Sequence, residues 1–388
     1  MRRRLLFHCQ HSLGLGHLVR SLALAGGLAR RFDVTLLNGG RLPAGTVVPD
    51  GVGLVDLPSL GHDADHGLVS HEPGRSVADV QRERTAIVLG TLDRCRPDVV
   101  VVELYPFGRR KFEFELVPLL DAAIAAPRRP LVVSSVRDIL VQRDDGGRHD
   151  DRAGAVAARY LDAVLVHSDP AFARFEESFR PSVSLAVPVH HTGFVVPSRT
   201  TPLPTHPARR VVVSAGGGMV GEALLLAAVA AAPAVARRAG LTTTVVLGPF
   251  LPADARRRVR ATAAPAAGIV DVVDRVDDLC AEIACSTVSV SQAGYNTTMD
   301  VLRAGRPAVV VPFAAPGEDE QTRRAERMAR LGVWRTVPPA ALTGPSLADA
   351  VVGAAADAPP RVRLDLDGRE RSTSLLDRLA VERCTVHQ

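Results

Sequence analysis

Aromatic residues are scarce here. Phe, Tyr and Trp make up 4% of 388 residues, with one tryptophan. Aliphatic side chains must fill the core, and 46% of the chain is hydrophobic. The same scarcity removes the stacking platforms that hold single-stranded nucleic acids. Lysine is nearly missing: Lys111 is the only one, so arginine carries the formal charge of +5. These arginines form no long basic run and no helical stripe, which argues against a nucleic-acid partner. A modest positive field suits phosphorylated ligands instead. The five cysteines, at 9, 95, 280, 285 and 384, are odd in number and contain no Cys-x-x-Cys pair. That pattern speaks against a disulfide framework or a zinc site and suits a reducing cytoplasm. No apolar run approaches the roughly 18 residues of a membrane-spanning helix. The run after Arg2-Arg3-Arg4 is interrupted by His8, Gln10 and His11, too early for a signal peptide. The His/Asp-rich segment Gly61–Arg75 (His62, Asp63, Asp65, His66, His71) is irregularly spaced and reads as a solvated loop, not a metal site.

What is present is a rhythm. Short apolar β-type runs alternate with longer Ala/Leu/Arg-rich helical stretches, the pattern of βα units and parallel sheets. The first half carries runs at Leu5–Gln10, Val34–Leu37, Val99–Val102, Leu131–Ser134 and Val164–His167. They are almost wholly apolar, as strands covered on both faces must be. The segment Pro197–Pro207 holds four prolines, which rules out a helix or central strand and marks a linker. Beyond it the runs resume at Arg210–Ser214, Thr242–Leu247, Ile269–Val273, Val288–Ser291 and Ala308–Val311. The reading is an α/β protein of two Rossmann-like, doubly wound domains: residues 1–197, residues 208–365, and a tail, 366–388, whose Ser372–Arg383 stretch can form a helix packing back on the first domain.

Three segments carry chemistry. In the first, a strand runs into Gln10-His11-Ser12-Leu13-Gly14-Leu15-Gly16-His17 and then a helix. Gly14 and Gly16 let a ligand approach the backbone at a helix N-terminus. His17, at the carboxyl end of a strand, can act as a general base, or can simply cap the helix. A dinucleotide fingerprint is disfavoured: its third glycine falls on Val19, and Asn38 stands where the acidic residue belongs. In the second segment, strand Val211–Ser214 leads into Gly216, Gly217 and Gly218, a cradle for a diphosphate or a tight turn needing positive φ. The Walker sequence GxxxxGK[ST] is missing, which argues against a P-loop ATPase.

The third segment runs from Val290 through Ser291-Gln292-Ala293-Gly294-Tyr295-Asn296-Thr297-Thr298-Met299-Asp300, then Ala304-Gly305-Arg306-Pro307, to Val311-Pro312-Phe313 and Glu318-Asp319-Glu320-Gln321. A strand ends in a small-residue turn, and a helix opens carrying Asp300, which can accept bonds from vicinal ribose hydroxyls. Gln321 offers a sugar both a donor and an acceptor. Glu103 and Asp138 also follow strands of the first half, at the sheet edge that carries His17. Either carboxylate can orient His17 or act as the base; Glu103 can also pair structurally with Arg137. His190 and His191 read as cleft-lining or capping residues.

Taken together, the two glycine loops and residues 286–332 resemble the GT-B glycosyltransferases, and within them the MurG-like, family 28 type that uses nucleotide-diphosphate sugars. The phrases Glu103–Arg110 and Ser135–Asp138 resemble a bacterial subgroup of glycosyltransferases without assigned substrates. The resemblance implies two domains facing a central cleft, with Pro197–Pro207 as hinge. It implies that His17 lies near the acceptor and sugar, and that Gly216, Gly217 and Gly218 surround the diphosphate. The backbone of Val276 would meet the base. Ser291, Gly294, Asn296 and Thr297 would line the turn by the phosphates. Asp300 stands where the family has a ribose-binding glutamate, and Glu320 and Gln321 would lie near the donor sugar. The expected function is transfer of a sugar from a nucleotide-diphosphate sugar, a UDP-sugar first, to an acceptor hydroxyl, with inversion. No metal or cofactor is expected. The acceptor is a small molecule or lipid-linked, and the location cytoplasmic, with peripheral contact at the inner membrane face in the lipid-linked case. A nucleotide-sugar 2-epimerase and a non-catalytic nucleotide-sugar-binding subunit are the alternatives.

Overall fold

The computed structural model describes residues 2–11, 16–43, 45–63, 67–141, 145–199, 201–217, 219–315 and 319–386. The chain divides into two compact units, one of Met1–Ser198 with Leu364–Gln388 and one of Arg199–Arg363.

The first unit begins with strand β1 (Arg3–Cys9), helix α1 (Gly16–Leu28), strand β2 (Phe32–Asn38), strand β3 (Val52–Asp56), and a small pair, β4 (Leu60–His62) and β5 (Leu68–Ser70). It continues with α2 (Val77–Cys95), β6 (Val99–Glu103), α3 (Glu113–Ala125), β7 (Leu131–Arg137), α4 (Arg148–Tyr160), β8 (Ala163–His167) and β9 (Val189–His191). Seven strands form one sheet in the order β3-β2-β1-β6-β7-β8-β9, and each neighbouring pair is parallel. Successive side chains alternate between faces. Leu6 joins one buried cluster while Leu5 and Phe7 join the other. Both faces are covered, which is why these strands read as continuous apolar runs.

The second unit follows the same plan: β10 (Ala208–Ser214), α5 (Glu222–Ala239), β11 (Thr242–Val246), α6 (Ala253–Ala263), β12 (Val270–Val273), α7 (Leu279–Ala284), β13 (Ser286–Ser291), α8 (Tyr295–Ala304), β14 (Ala308–Val310), α9 (Glu320–Arg330), β15 (Arg335–Thr336) and α10 (Gly344–Ala355). Its sheet order is β12-β11-β10-β13-β14-β15. Helix α11 (Gly368–Val386) rejoins the first unit, where Leu376 and Ala380 are buried among the side chains of α1 and β1.

In both sheets the strand order reverses at one place, between β1 and β6 and between β10 and β13. Ligands of doubly wound sheets gather outside the strand carboxyl ends at such a place. One expectation needs correction. Gly61–Arg75 is not all loop, since Leu60–His62 pairs antiparallel with Leu68–Ser70. His190 and His191 sit on edge strand β9, pairing with Leu165 and Val166. No described helix is long and apolar enough to cross a membrane.

Candidate functional site

In the first unit, β1 pairs with β6 so that His8 stands beside Val102. The next residue of β6, Glu103, therefore reaches the strand edge from which α1 departs, and His17 is the second residue of α1. Nδ1 of His17 lies 2.6 Å from Oε1 of Glu103. A carboxylate can only accept, so Nδ1 carries the proton and donates it to Glu103. Nε2 then presents its lone pair, and none of the described residues bonds to it.

Glu103 is fully buried and holds more than the imidazole. Arg20, one turn along α1 from His17, donates to Oε1 at 2.5 Å, and Arg109 donates to Oε2 through Nε and Nη2 at 3.2 and 3.1 Å. Burial pushes the carboxyl up, but His17, Arg109 and Arg20 together hold it well below the usual carboxylate range. Burial pushes the His17 imidazole down to about 3; Glu103 opposes the fall and Arg109 and Arg137 add to it. At neutral pH the pair is a carboxylate and a neutral imidazole, the state a general base requires. The loop that delivers Arg109 is strained at both ends, with Leu104 and Arg109 at φ of 64° and 63°. Side-chain-bearing residues adopt that region only where their surroundings impose it.

Around this pair the strand ends are tied by buried polar groups. Arg84 of α2, fully buried, donates to both oxygens of Glu115, to Gln10 Oε1 at 2.6 Å, and to the carbonyls of Gly39 and Pro58. One guanidinium thereby fixes the loops after β1, β2 and β3. His167 lies between the hydroxyls of Ser135 and Thr192 at 2.8 and 2.9 Å, and burial pushes it, too, down to about 3. Asp138 is fully buried just beyond β7, and its Oδ1 accepts the Ile139 N–H at 2.9 Å. That bond orders its own turn.

In the second unit, Ser214 at the end of β10 pairs in register with Ser291 at the end of β13. The two following turns meet: a β-carbon placed on Gly216 would lie 3.4 Å from Oγ1 of Thr297. Gly216 has φ of +61°, and its N–H is taken by Ser214 Oγ at 3.2 Å. The loop is braced from behind by Gly248, at φ of +84°, where a β-carbon would come within 2.7 Å of the Gly216 carbonyl, and by Phe250 N–H donating to Gly217 at 2.8 Å. Gly294 caps α8 without any side-chain bond and with open space where a β-carbon would stand. A ligand can therefore approach that helix N-terminus closely.

Gln321 accepts two backbone N–H bonds on Oε1, from Ala293 at 3.0 Å and Phe313 at 3.1 Å. It locks the α8 turn to the loop after β14, which commits its carbonyl, while its amide nitrogen makes no bond among the described residues. Glu320 accepts from Arg324 at 2.5 Å, and Arg324, fully buried, also reaches the Ala293 carbonyl at 2.7 Å. Asp300 is half-buried on α8. Burial raises its carboxyl to about 7, and Asp278 adds to the rise. Val276 is half-buried in the β12–α7 turn, and Ser291 is buried at its strand end. Asn296 stands on the first turn of α8. Gly16 opens α1 beside His17. Gly14 and Gly218 lie outside the described residues.

The sequence pointed to neither Arg20, Arg109, Arg324 nor Gly248. The helical spacing of His17 and Arg20 was the one available signal, since residues three apart share a face. No group of three His, Cys, Asp or Glu side chains among the described residues is arranged to hold a metal ion.

Residues 215–360 match the profile of the glycosyltransferase family 28 C-terminal domain. A stretch of 74 residues is 35% identical to the UDP-N-acetylglucosamine–N-acetylmuramyl-(pentapeptide) pyrophosphoryl-undecaprenol N-acetylglucosamine transferase of Solibacter usitatus (strain Ellin6076), covering 19% of this chain and 20% of that relative. The enzyme of the same name from Solidesulfovibrio magneticus is 34% identical over 82 residues, 22% of its length. The match thus spans about a fifth of these relatives. Among solved structures, the calicheamicin glycosyltransferase CalG4 superposes with a TM-score of 0.57 at 20% identity, covering 99% of this chain and 95% of that one. MurG of Acinetobacter baumannii gives 0.55 at 16% identity, with 97% and 99% covered. At such identities the likeness establishes the fold. Residues 215–360 of the second unit thus resemble the glycosyltransferase family 28 C-terminal domain, and the chain has the GT-B fold.

Proposed function

We propose that this chain transfers a sugar from a nucleotide-diphosphate sugar, with UDP first among the nucleotides, to an acceptor hydroxyl, inverting the anomeric carbon. The observation that carries the reading is the His17–Glu103 pair: a neutral imidazole oriented by a buried carboxylate, its Nε2 uncommitted, at the switch point of the first sheet. In the proposed step, Nε2 takes the acceptor's hydroxyl proton as that oxygen attacks the anomeric carbon. The bond to the diphosphate breaks on the opposite side, and the nucleotide leaves with its electron pair. Glu103 then faces an imidazolium, which its charge stabilises.

The second unit would hold the donor. The Gly216–Gly217 turn and the N-terminus of α8 receive the diphosphate, stabilising the charge it gains on leaving. On this reading no metal is needed for that stabilisation. Asp300 takes the ribose hydroxyls, the Val276 backbone meets the base, and the amide of Gln321 with Glu320 lies by the sugar. Relatives' names give two acceptor classes, the lipid-linked pyrophosphoryl-undecaprenol of the curated relatives and calicheamicin, a natural product. Work in the cytoplasm, at the inner membrane face when the acceptor is lipid-linked, belongs to the same proposal.

The test is a thermal-shift screen with UDP, GDP and dTDP, followed by nucleotide release from the matching sugar donors with acceptors of both classes. A ligand that binds only the folded state raises the melting temperature. Acceptor-dependent release is the expected result. No shift with any nucleotide would overturn the donor side, and release that ignores the acceptor would point to an epimerase or hydrolase.

A further inference from the structure

This aromatic-poor chain buries or half-buries almost every ring it has. Phe250 is the exception. It is 37% exposed, the only exposed aromatic ring among the described residues, and it makes no ring contact with another aromatic or a cation there. Phe250 stands in the turn after β11, and in the sheet β11 lies between β12 and β10. The strand on one side, β12, leads to Val276; the strand on the other, β10, leads to Gly216 and Gly217. The turn is bonded to both neighbours. Gly248 donates its N–H to the Asp274 carbonyl at 3.0 Å, and Phe250 donates its N–H to the Gly217 carbonyl at 2.8 Å. Arg256 of α6 tightens the first link, donating to the Gly248 carbonyl at 3.0 Å and forming an ion pair with Asp274. The ring itself packs on Gly217, where a β-carbon would lie 3.3 Å from its Cδ2. Met219 and Val220, just beyond that glycine, are also exposed. Apolar side chains left exposed together mark a contact surface.

We propose that the Phe250 ring is a stacking platform for the nucleobase of the donor. The inference rests on the reading of Gly216 and Gly217 as the diphosphate turn and of Val276 as the base contact. A diphosphate at the first and a base edge at the second lay the nucleoside across the turn after β11. The Val276 backbone meets the base at its edge, which leaves the faces of the base to be covered. A phenyl ring offers a flat apolar face, and stacking takes surface of both rings out of water. Such stacking tolerates any base, because every base has a π-face. Phe250 thus adds affinity for nucleoside diphosphates in general, and discrimination between bases stays with the edge contacts.

The experiment titrates UDP, GDP and dTDP by calorimetry into the full chain and into Phe250→Ala, Phe250→Leu and Phe250→Trp, with melting temperatures taken to show that each variant is folded. Phe250→Ala weakens every nucleotide that the wild type binds by about 5- to 100-fold. Phe250→Leu keeps bulk against Gly217 but has no π-face, and it stays weakened by at least about 3-fold. Phe250→Trp binds as tightly as the wild type or tighter, and its indole fluorescence is quenched as the nucleotide saturates. Trp334, buried and bonded through Nε1 to the Ala325 carbonyl, supplies a constant background. If Phe250→Leu restores full affinity, or Phe250→Trp binds weakly or without quenching, the ring only braces the Gly217 turn and the proposal falls while the donor reading stands. Phe250→Ala binding as the wild type does would overturn it in the same way. If the wild type binds no nucleotide, the donor reading falls and takes the proposal with it.

Discussion

Replacing Glu103 with Gln removes one negative charge from a site that holds three partners. Oε1 now accepts from His17 and Arg20, and Oε2 from Arg109. An amide has one acceptor and one donor end, so its NH2 group must face an N–H donor whichever way it turns. The side chains of Arg20 and Arg109 are only 2% and 15% exposed, and water cannot replace the lost carboxylate. Breaking a buried pair by removing one partner costs about 3–5 kcal/mol. At roughly 2–4 °C per kcal/mol for a unit of this size, the melting temperature should fall by about 6–20 °C. The imidazole also loses the group that fixes its tautomer, and turnover should drop by about 10²- to 10⁴-fold, the usual worth of a positioned base. Nucleotide affinity should stay within about twofold of wild type, because the loops assigned to the nucleotide belong to the second unit. Differential scanning calorimetry, steady-state turnover and nucleotide titration report these three quantities separately. A melting point unchanged within 2 °C, or unchanged turnover in the folded variant, would refute the reasoning about Glu103.

Two further outcomes follow. His17 and His167 are both held neutral by burial, with pKa values near 3 against about 6.5 in the unfolded chain. The unfolded chain therefore takes up protons below pH 6.5 that the folded chain refuses, so stability falls as pH drops. Each histidine should cost about 2 kcal/mol between pH 7 and pH 5; thermal melts should show it, and His167→Gln should remove about half of this slope. Gly248→Ala would place a methyl group against the Gly216 carbonyl at a backbone angle of φ +84°. It should lower stability by about 1–3 kcal/mol and weaken nucleotide binding at least tenfold, as read by calorimetry; binding at full strength would show that the Gly216 turn does not hold the ligand.

Much of the fold was legible because doubly buried strands leave an unmistakable mark. Val99–Val102 and Val211–Val213 have no polar residue to disguise them. The strands that escaped notice carry weaker marks. Val52–Asp56 is a half-exposed edge strand with a glycine inside it, and Val189–His191 is three residues long with two histidines. His17 and Glu103 could be named from the sequence because each ends or follows an apolar run. Their 2.6 Å contact depends on the register of β1 with β6, which no local pattern encodes. The buried arginines show the same limit. Arg84 and Arg324 sit on helices among half-buried and exposed arginines, and only tertiary packing separates them. Gln321 was readable as a polar residue near the sugar, but its carbonyl serves the backbone of two loops, a task visible only when those loops are brought together.

The central claim is that His17 removes a proton from an acceptor while the second unit holds the nucleotide. It is tested most directly by acceptor-dependent nucleotide release from a UDP-sugar, compared between the wild type and His17→Ala, with the dissociation constant of UDP measured alongside. The account predicts release slowed by at least 100-fold with UDP affinity unchanged. Release at the wild-type rate, or a loss of UDP affinity that accounts for the whole decline, would contradict it.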